Sequence, residues 1–147
     1  MNEIRRIGYA EILSQPRLLD NYSAECSIPE IGIPNPQADM YAKMEESGMM
    51  KCFGAFSNDV LIGFASILFS VLPHYGKKVA IVESLFVAQL CRESGAGKEL
   101  MKAIESEAKG EGCVVMLYSA TTDSQLEKVL SIRKDCRRTN AVFTRVL

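Results

Sequence analysis

The pattern of apolar and polar positions changes period along the chain and divides it into regions. Up to residue 49 the pattern is helical. Ser14-Gln15-Pro16 supplies a helix start with proline in the first turn, and residues 17–26 continue it. Residues 28–37 hold three prolines and a glycine, which makes them a loop. Met40, Tyr41 and Met44 give residues 38–47 an apolar stripe, and Gly48 stops that helix. From residue 50 the pattern predicts strands at 51–56, 60–71 and 79–87. Ser57-Asn58-Asp59 and Leu72-Pro73-His74-Tyr75-Gly76 are the turns between them, so two successive hairpins form an antiparallel meander.

Helical spacing returns at 97–109. Leu100, Met101, Ile104 and Ala108 share one face there, Glu105 can pair with Lys109, and Gly110 and Gly112 end the helix. Residues 113–119 are a short, almost wholly apolar run, predicted to be a central strand. Ser124-Gln125-Leu126-Glu127 is a capping-box pattern, followed by Val129 and Leu130 at helical spacing, and residues 141–147 predict a closing strand. The sum is an α/β (α+β) fold: a mixed, mostly antiparallel central sheet flanked by helices, with one crossover near residues 90–97. The 147 residues suit a single domain, 1–147, with a core of its own.

Charge and composition then narrow the partners. There are 17 basic and 18 acidic side chains, a formal net charge of −1, so no nucleic-acid binding through bulk charge is expected. Apolar stretches are broken by Gly, Ser, His or charge within about ten residues, too short to span a bilayer. Residues 1–10 have no apolar signal-peptide core. Cys26, Cys52, Cys91, Cys113 and Cys136 stand singly, without the spacing of a metal site or a redox motif. Reduced thiols, no metal, no membrane and a cytoplasmic location are the expectation.

The stretch LCRESGAGKEL, residues 90–100, carries the candidate chemistry. A Walker A loop fails, because Arg92 and Glu99 occupy positions that need Gly and Ser or Thr. A dinucleotide fingerprint from Gly95 fails, because Leu100 stands where the third Gly belongs. Arg92-x-x-Gly95-x-Gly97 survives, after a strand and opening a helix. A helix N-terminus offers unpaired N–H groups and partial positive charge, and glycines let the backbone approach phosphate oxygens. Arg92 and Lys98 could add charge at the rim and Ser94 a hydroxyl donor. The other reading is a glycine-rich turn that merely feeds a helix.

Glu83-Ser84-Leu85-Phe86-Val87, then Arg92-x-x-Gly95-x-Gly97-x-x-Leu100-Met101, resembles the signature of the GNAT superfamily of acyl-CoA-dependent N-acyltransferases. That motif is a basic or Gln residue, two spacers, Gly, one spacer, then Gly or Ala, after a central strand. NDVLIGFASIL, residues 58–68, resembles the family's second hairpin. The likeness covers residues 50–147, the cofactor-binding core. Residues 1–49 resemble the family only in being helical, where it varies and binds its acceptors.

The resemblance implies an N-acetyltransferase that moves an acetyl group from acetyl-CoA to a primary amine of a small molecule or protein, and leaves a homodimer open. The strand ending at Val87 and the strand 113–119 would be parallel neighbours that splay apart around the pantetheine arm. That arm would pair with backbone groups of Leu85, Phe86 and Val87, one of whose N–H groups would polarise the thioester carbonyl. The pyrophosphate would rest on the N–H groups of Arg92, Glu93, Ser94, Gly95, Ala96, Gly97 and Lys98. Ser124 would line the far side of the wedge.

Freeing a primary amine of pKa ~10.4 from its proton at neutral pH costs roughly 4–5 kcal/mol. Glu83, a carboxylate inside an otherwise apolar strand, is the candidate base, and similar GNAT proteins use an acid there, often through water. Two other readings stand beside it: a solvent-facing Glu, and a Glu that only orients the amine. His74 is the single histidine and sits in a hairpin loop, favouring a surface role. The family often carries a Tyr on its last helix to protonate the leaving thiolate, but residues 123–136 contain none. Tyr118 is a distant substitute. Gln89 stands where proline is frequent, which changes turn stiffness only. A catalytically weak module that binds acyl-CoA and acts as a binding or regulatory protein is the alternative.

Overall fold

A computed structural model describes residues 1–147. The elements are β1 (Glu3–Ile7), α1 (Tyr9–Leu13), α2 (Pro16–Cys26), α3 (Ala38–Glu46), β2 (Met50–Ser57), β3 (Val60–Leu72), β4 (Lys77–Val87), a 3-10 turn (Gln89–Ser94), α4 (Ala96–Gly110), β5 (Met116–Leu117) and α5 (Gln125–Ile132). The strands lie in chain order in one sheet. β1 to β4 pair antiparallel, and β5 joins β4 in parallel after the α4 crossover.

The expected meander forms. Asn58 and Asp59 turn β2 into β3 with φ of 48° and 60°, a left-handed pair that matches the twist of a two-residue hairpin. Alternation along these strands feeds two cores on opposite faces of the sheet. Phe53, Ala65 and Ile67 pack with Leu100, Ile104 and Ala108 of α4. Cys52, Phe64 and Phe86 pack with Tyr9, Ile12 and Leu18 of the first two helices. Phe64 is wholly buried, and taking such a side chain out of water stabilises the fold by roughly 1.5–3 kcal/mol.

Three expectations change. The first 49 residues are not only helical: β1 pairs along β2 from Glu3↔Phe56 to Ile7↔Cys52. β1 is five residues long and carries Glu3, Arg5 and Arg6, so its period is masked by charges that an edge strand can point at water. Residues 113–119 form the edge of the sheet rather than its centre. Only Ala80↔Met116 and Ile81↔Leu117 pair in the ladder, just beyond bonds from the Val114 N–H to the Lys78 carbonyl (2.9 Å) and from the Ala80 N–H to the Val115 carbonyl (3.1 Å). Residues 141–147 are exposed throughout and form no strand. Their alternation is real, but two residues of β5 offer no ladder on which it could extend.

Candidate functional site

The site begins with an irregularity in β4. Ser66 of β3 pairs with Ser84, and the next residue, Ile67, pairs with Val82. Glu83 is therefore the extra residue of a β-bulge, which shifts the alternation by one. Ala80, Val82 and Val87 face the α4 core, while Phe86 faces the core under the first helices. The shift puts Glu83 on the same face as Ser84, under α2 and α3.

Two hydroxyls hold the Glu83 carboxylate there. Tyr41 of α3 donates to Oε1 at 2.9 Å, and Ser66 donates to Oε2. Ser66 and Ser84 are buried side by side with their Oγ atoms in hydrogen-bond contact. A hydroxyl has one proton, so with Ser66 donating to Glu83, Ser84 donates to Ser66. The Tyr41 phenol is pushed well above its ordinary range, first by burial and then by its contact with Tyr9 and the Glu83 charge. Burial likewise raises the neighbouring Tyr9 to about 12. Both phenols therefore stay protonated, and the Tyr41 hydroxyl serves as the donor to Glu83.

Glu83 stands between two cavities. The larger, about 1090 Å³, runs along β4 past Leu85, Phe86 and Val87 to Arg92, Gly95, Gly97, Lys98 and Ser124. It opens where the β4–β5 ladder stops at Leu117, so the end of β4 has one unpaired edge. The Ala88 N–H bonds the Ile62 carbonyl on β3, at 2.8 Å. By alternation the N–H groups of Leu85 and Val87 point the other way, to the open edge. The smaller cavity, 430 Å³, lies between α2, α3 and residues 27–37. Tyr22, Cys26, Ser27, Ile28 and Glu83 line both.

The glycine loop divides its labour unevenly. Gly95 takes φ of 86°, the left-handed conformation that joins the 3-10 turn to α4. A Cβ on Gly97 would meet only Val87 Cγ2, at 3.7 Å, so packing does not demand glycine there. The first turn of α4 leaves N–H groups at Gly97 and Lys98 without intrahelical acceptors. Lys98 and Lys102, one turn apart, both line the larger cavity and enter no ion pair. Together they suit an anionic group at the helix start.

Arg92 is differently employed. Its Nε donates to the Val87 carbonyl at 3.1 Å, Nη2 meets Glu25 of α2 at 2.5 Å, and the guanidinium lies 5.5 Å from the Phe86 ring centre. Its charge is compensated, and it fastens the 3-10 turn to β4 and α2. Glu93, Ser94 and Ala96 do not line the cavity. Ser94 Oγ donates to the Cys91 carbonyl and accepts from the Ala96 N–H, while Ala96 is a core residue. Ser124 caps α5, accepting from the Glu127 N–H at 3.2 Å. Tyr118 donates to Glu105, which also holds Arg133, so its hydroxyl is committed away from Glu83. His74 is at an exposed hairpin tip, edge-on to Tyr75, and lines neither cavity.

The sequence profile of the Acetyltransferase (GNAT) family matches residues 16–129. The chain belongs to the GNAT acetyltransferase family. Solved GNAT-type structures share the whole fold at low identity. An aminoglycoside acetyltransferase from an uncultured soil metagenomic sample, in complex with sisomicin, superposes with a TM-score of 0.73 at 18% identity, covering 99% of this chain and 96% of that one. The ribosomal-protein-alanine N-acetyltransferase of Brucella melitensis biovar Abortus 2308 gives 0.71 at 16% identity, covering 99% of each chain. AAC(6')-Iy, solved with the bisubstrate analog CoA-S-monomethyl-acetylneamine, gives 0.72 at 18%, covering 99% of this chain and 97% of that one. No curated protein matches this GNAT sequence closely. No helix is long and apolar enough to cross a membrane.

The residues that sequence reasoning missed are Tyr41, Ser66, Ser84 and Lys102. Tyr41 read as part of an apolar stripe, and Ser66 passed unremarked inside the strand 60–71. Lys102 carried a signal that went unused, since it lies four residues after Lys98 on the same helical face.

Proposed function

We propose that this GNAT domain transfers an acetyl group from acetyl-CoA to a primary amine, with Glu83 as the base. The observation that carries the reading is the placement of Glu83 at the junction of the two cavities, held by Tyr41 and Ser66. The site fits a CoA thioester: an unpaired strand edge borders the larger cavity, and a glycine that packing does not require opens the helix beside two unpaired lysines. Acetyl-CoA supplies an acyl carbon activated as a thioester.

The chain's own groups supply the rest. The Leu85 and Val87 N–H groups donate along the open edge of β4, one of them toward the thioester oxygen. The Gly97 and Lys98 N–H groups, with the Lys98 and Lys102 ammonium groups, hold the pyrophosphate. Glu83 takes the proton of the incoming ammonium, directly or through one water, so the amine arrives with a free lone pair. A thiol, with an ordinary pKa near ~8.5, leaves as thiolate without a dedicated acid. The absence of a Tyr on α5 is therefore tolerated.

Calorimetric titration with acetyl-CoA, followed by thiol release over a panel of amines, tests this. Binding and amine-dependent thiol release are expected. Failure to bind acetyl-CoA would sink the reading. Tight binding with no turnover would favour the acyl-CoA-binding module, the alternative that the committed Tyr118 hydroxyl leaves in play.

A further inference from the structure

The smaller cavity has a composition that selects among amines. Glu83 is its single charged residue. Its wall is made by Tyr22, Met40, Tyr41 and Met44 of α2 and α3 and by the loop that follows α2. That loop contributes Pro34 and Pro36, which have no N–H to donate. The N–H groups of Ile31 and Gly32 are already turned inward, onto the Ile28 and Pro29 carbonyls. At the rim, Ile31 is 78% exposed, Ile33 95% and Met40 61%.

Each feature excludes something. A polyamine or an amino sugar brings several ammonium groups into the site, and each needs an anion or full hydration. One carboxylate meets one of them. A peptide brings a row of main-chain donors and acceptors, and the loop answers with only the Ser27, Asn35 and Gln37 side chains, of which Gln37 already donates to the Asn35 carbonyl. An apolar body asks for neither, and it would cover the exposed Ile31, Ile33 and Met40. The volume, 430 Å³, falls among sites for small molecules, commonly about 300–1,000 Å³.

We propose that the acceptor is a small monoamine with one ammonium group and an apolar, preferably aromatic, body. The ammonium lies at Glu83 and the body against Tyr22, Met40 and Met44. This rests on the acetyl-transfer reading above and adds the acceptor class to it.

The test is kcat/KM by thiol release at fixed saturating acetyl-CoA. The acceptors are 2-phenylethylamine, spermidine, sisomicin and a short peptide with a free N-terminus. We expect 2-phenylethylamine to exceed each of the others at least tenfold, about 1.4 kcal/mol. Spermidine, sisomicin or the peptide performing equally or better overturns the acceptor class and leaves acetyl transfer standing. No turnover with any of the four overturns both. Met40→Glu, at an exposed position, adds a second carboxylate at the rim. It should raise spermidine and lower 2-phenylethylamine, moving their ratio at least fivefold; an unmoved ratio counts against the assignment of this cavity to the acceptor.

Discussion

Replacing Glu83 by Gln separates the base from the scaffold. The amide keeps the carboxylate's shape but can offer its oxygen to only one of the two hydroxyls that now donate to it. Ser66 is buried at 0% exposure and tied to Ser84, so the oxygen should stay with Ser66. Tyr41 is less confined and can turn its hydroxyl to accept from the new amide N–H. One hydrogen bond is then reversed rather than orphaned, which costs about 1 kcal/mol. For a domain of this size that lowers Tm by about 2–4 °C. The rate should fall much further. The base offsets a deprotonation cost of roughly 4–5 kcal/mol at pH 7, and removing a general base typically lowers rate about 10²–10⁴-fold. The parent draws on the abundant ammonium form, whereas the variant waits for free amine. Free amine grows about tenfold per pH unit below the amine's pKa of ~10.4. The deficit should therefore shrink toward about a hundredfold less between pH 7 and pH 9. The assay is turnover against pH for both proteins with one good acceptor, beside a melting curve and an acetyl-CoA titration. Affinity for acetyl-CoA should barely move. Parallel pH profiles, with the variant within threefold of the parent, would remove Glu83 from proton transfer and leave positioning alone.

Other outcomes follow from the same geometry. Gly97→Ala should stabilise the fold by up to about 1 kcal/mol through helix propensity and so raise Tm, while weakening acetyl-CoA binding at least tenfold; equal affinity in calorimetry would mean the glycine serves no ligand. Gly95→Ala should do the opposite in the melting curve, costing about 1–2 kcal/mol because φ is 86° there. Gly63→Ala places a Cβ 2.8 Å from the Phe86 carbonyl oxygen, so β4 must move; a loss of about 1–3 kcal/mol in urea unfolding is expected, with reduced turnover. Hydrogen bonds from Lys51, then Lys78, hold Glu111 at about 2, below its ordinary value. Its folded pKa is depressed, so its contribution is present above about pH 4.5 and is lost as pH falls toward 2. Glu111→Gln should lower stability at neutral pH and flatten its loss in that acid window; an unaltered acid limb refutes it.

Legibility in the sequence followed the length of the pattern. β3, β4 and α4 were readable because each carries many periods of its own repeat. The glycine loop was readable because its chemistry is local: a left-handed Gly95 and a helix start need only neighbours in the chain. The face of Glu83 was not, since a period-2 reading has no means of seeing the bulge opposite Ser66 and Ile67. Tyr41 lies 42 residues from Glu83, and nothing near it marks a hydroxyl that reaches β4. β1 was too short and too charged to show alternation. Residues 141–147 show the reverse failure: the alternation is present, but strand formation depends on a partner edge that β5 does not extend.

The bulge at Glu83 also bears on how the protein can be improved in the laboratory. A chain one residue shorter at this point would pair Ile67 and Ser66 with consecutive partners and heal the ladder. Selection for heat tolerance alone would therefore draw variants toward that repair. Where the residue removed is Glu83 itself, the gain in regularity also removes the carboxylate proposed as the base, so a sturdier variant is expected to lose turnover. Libraries screened for thermal survival should be rescreened for thiol release, and single-residue deletions in β4 are the first class to discard.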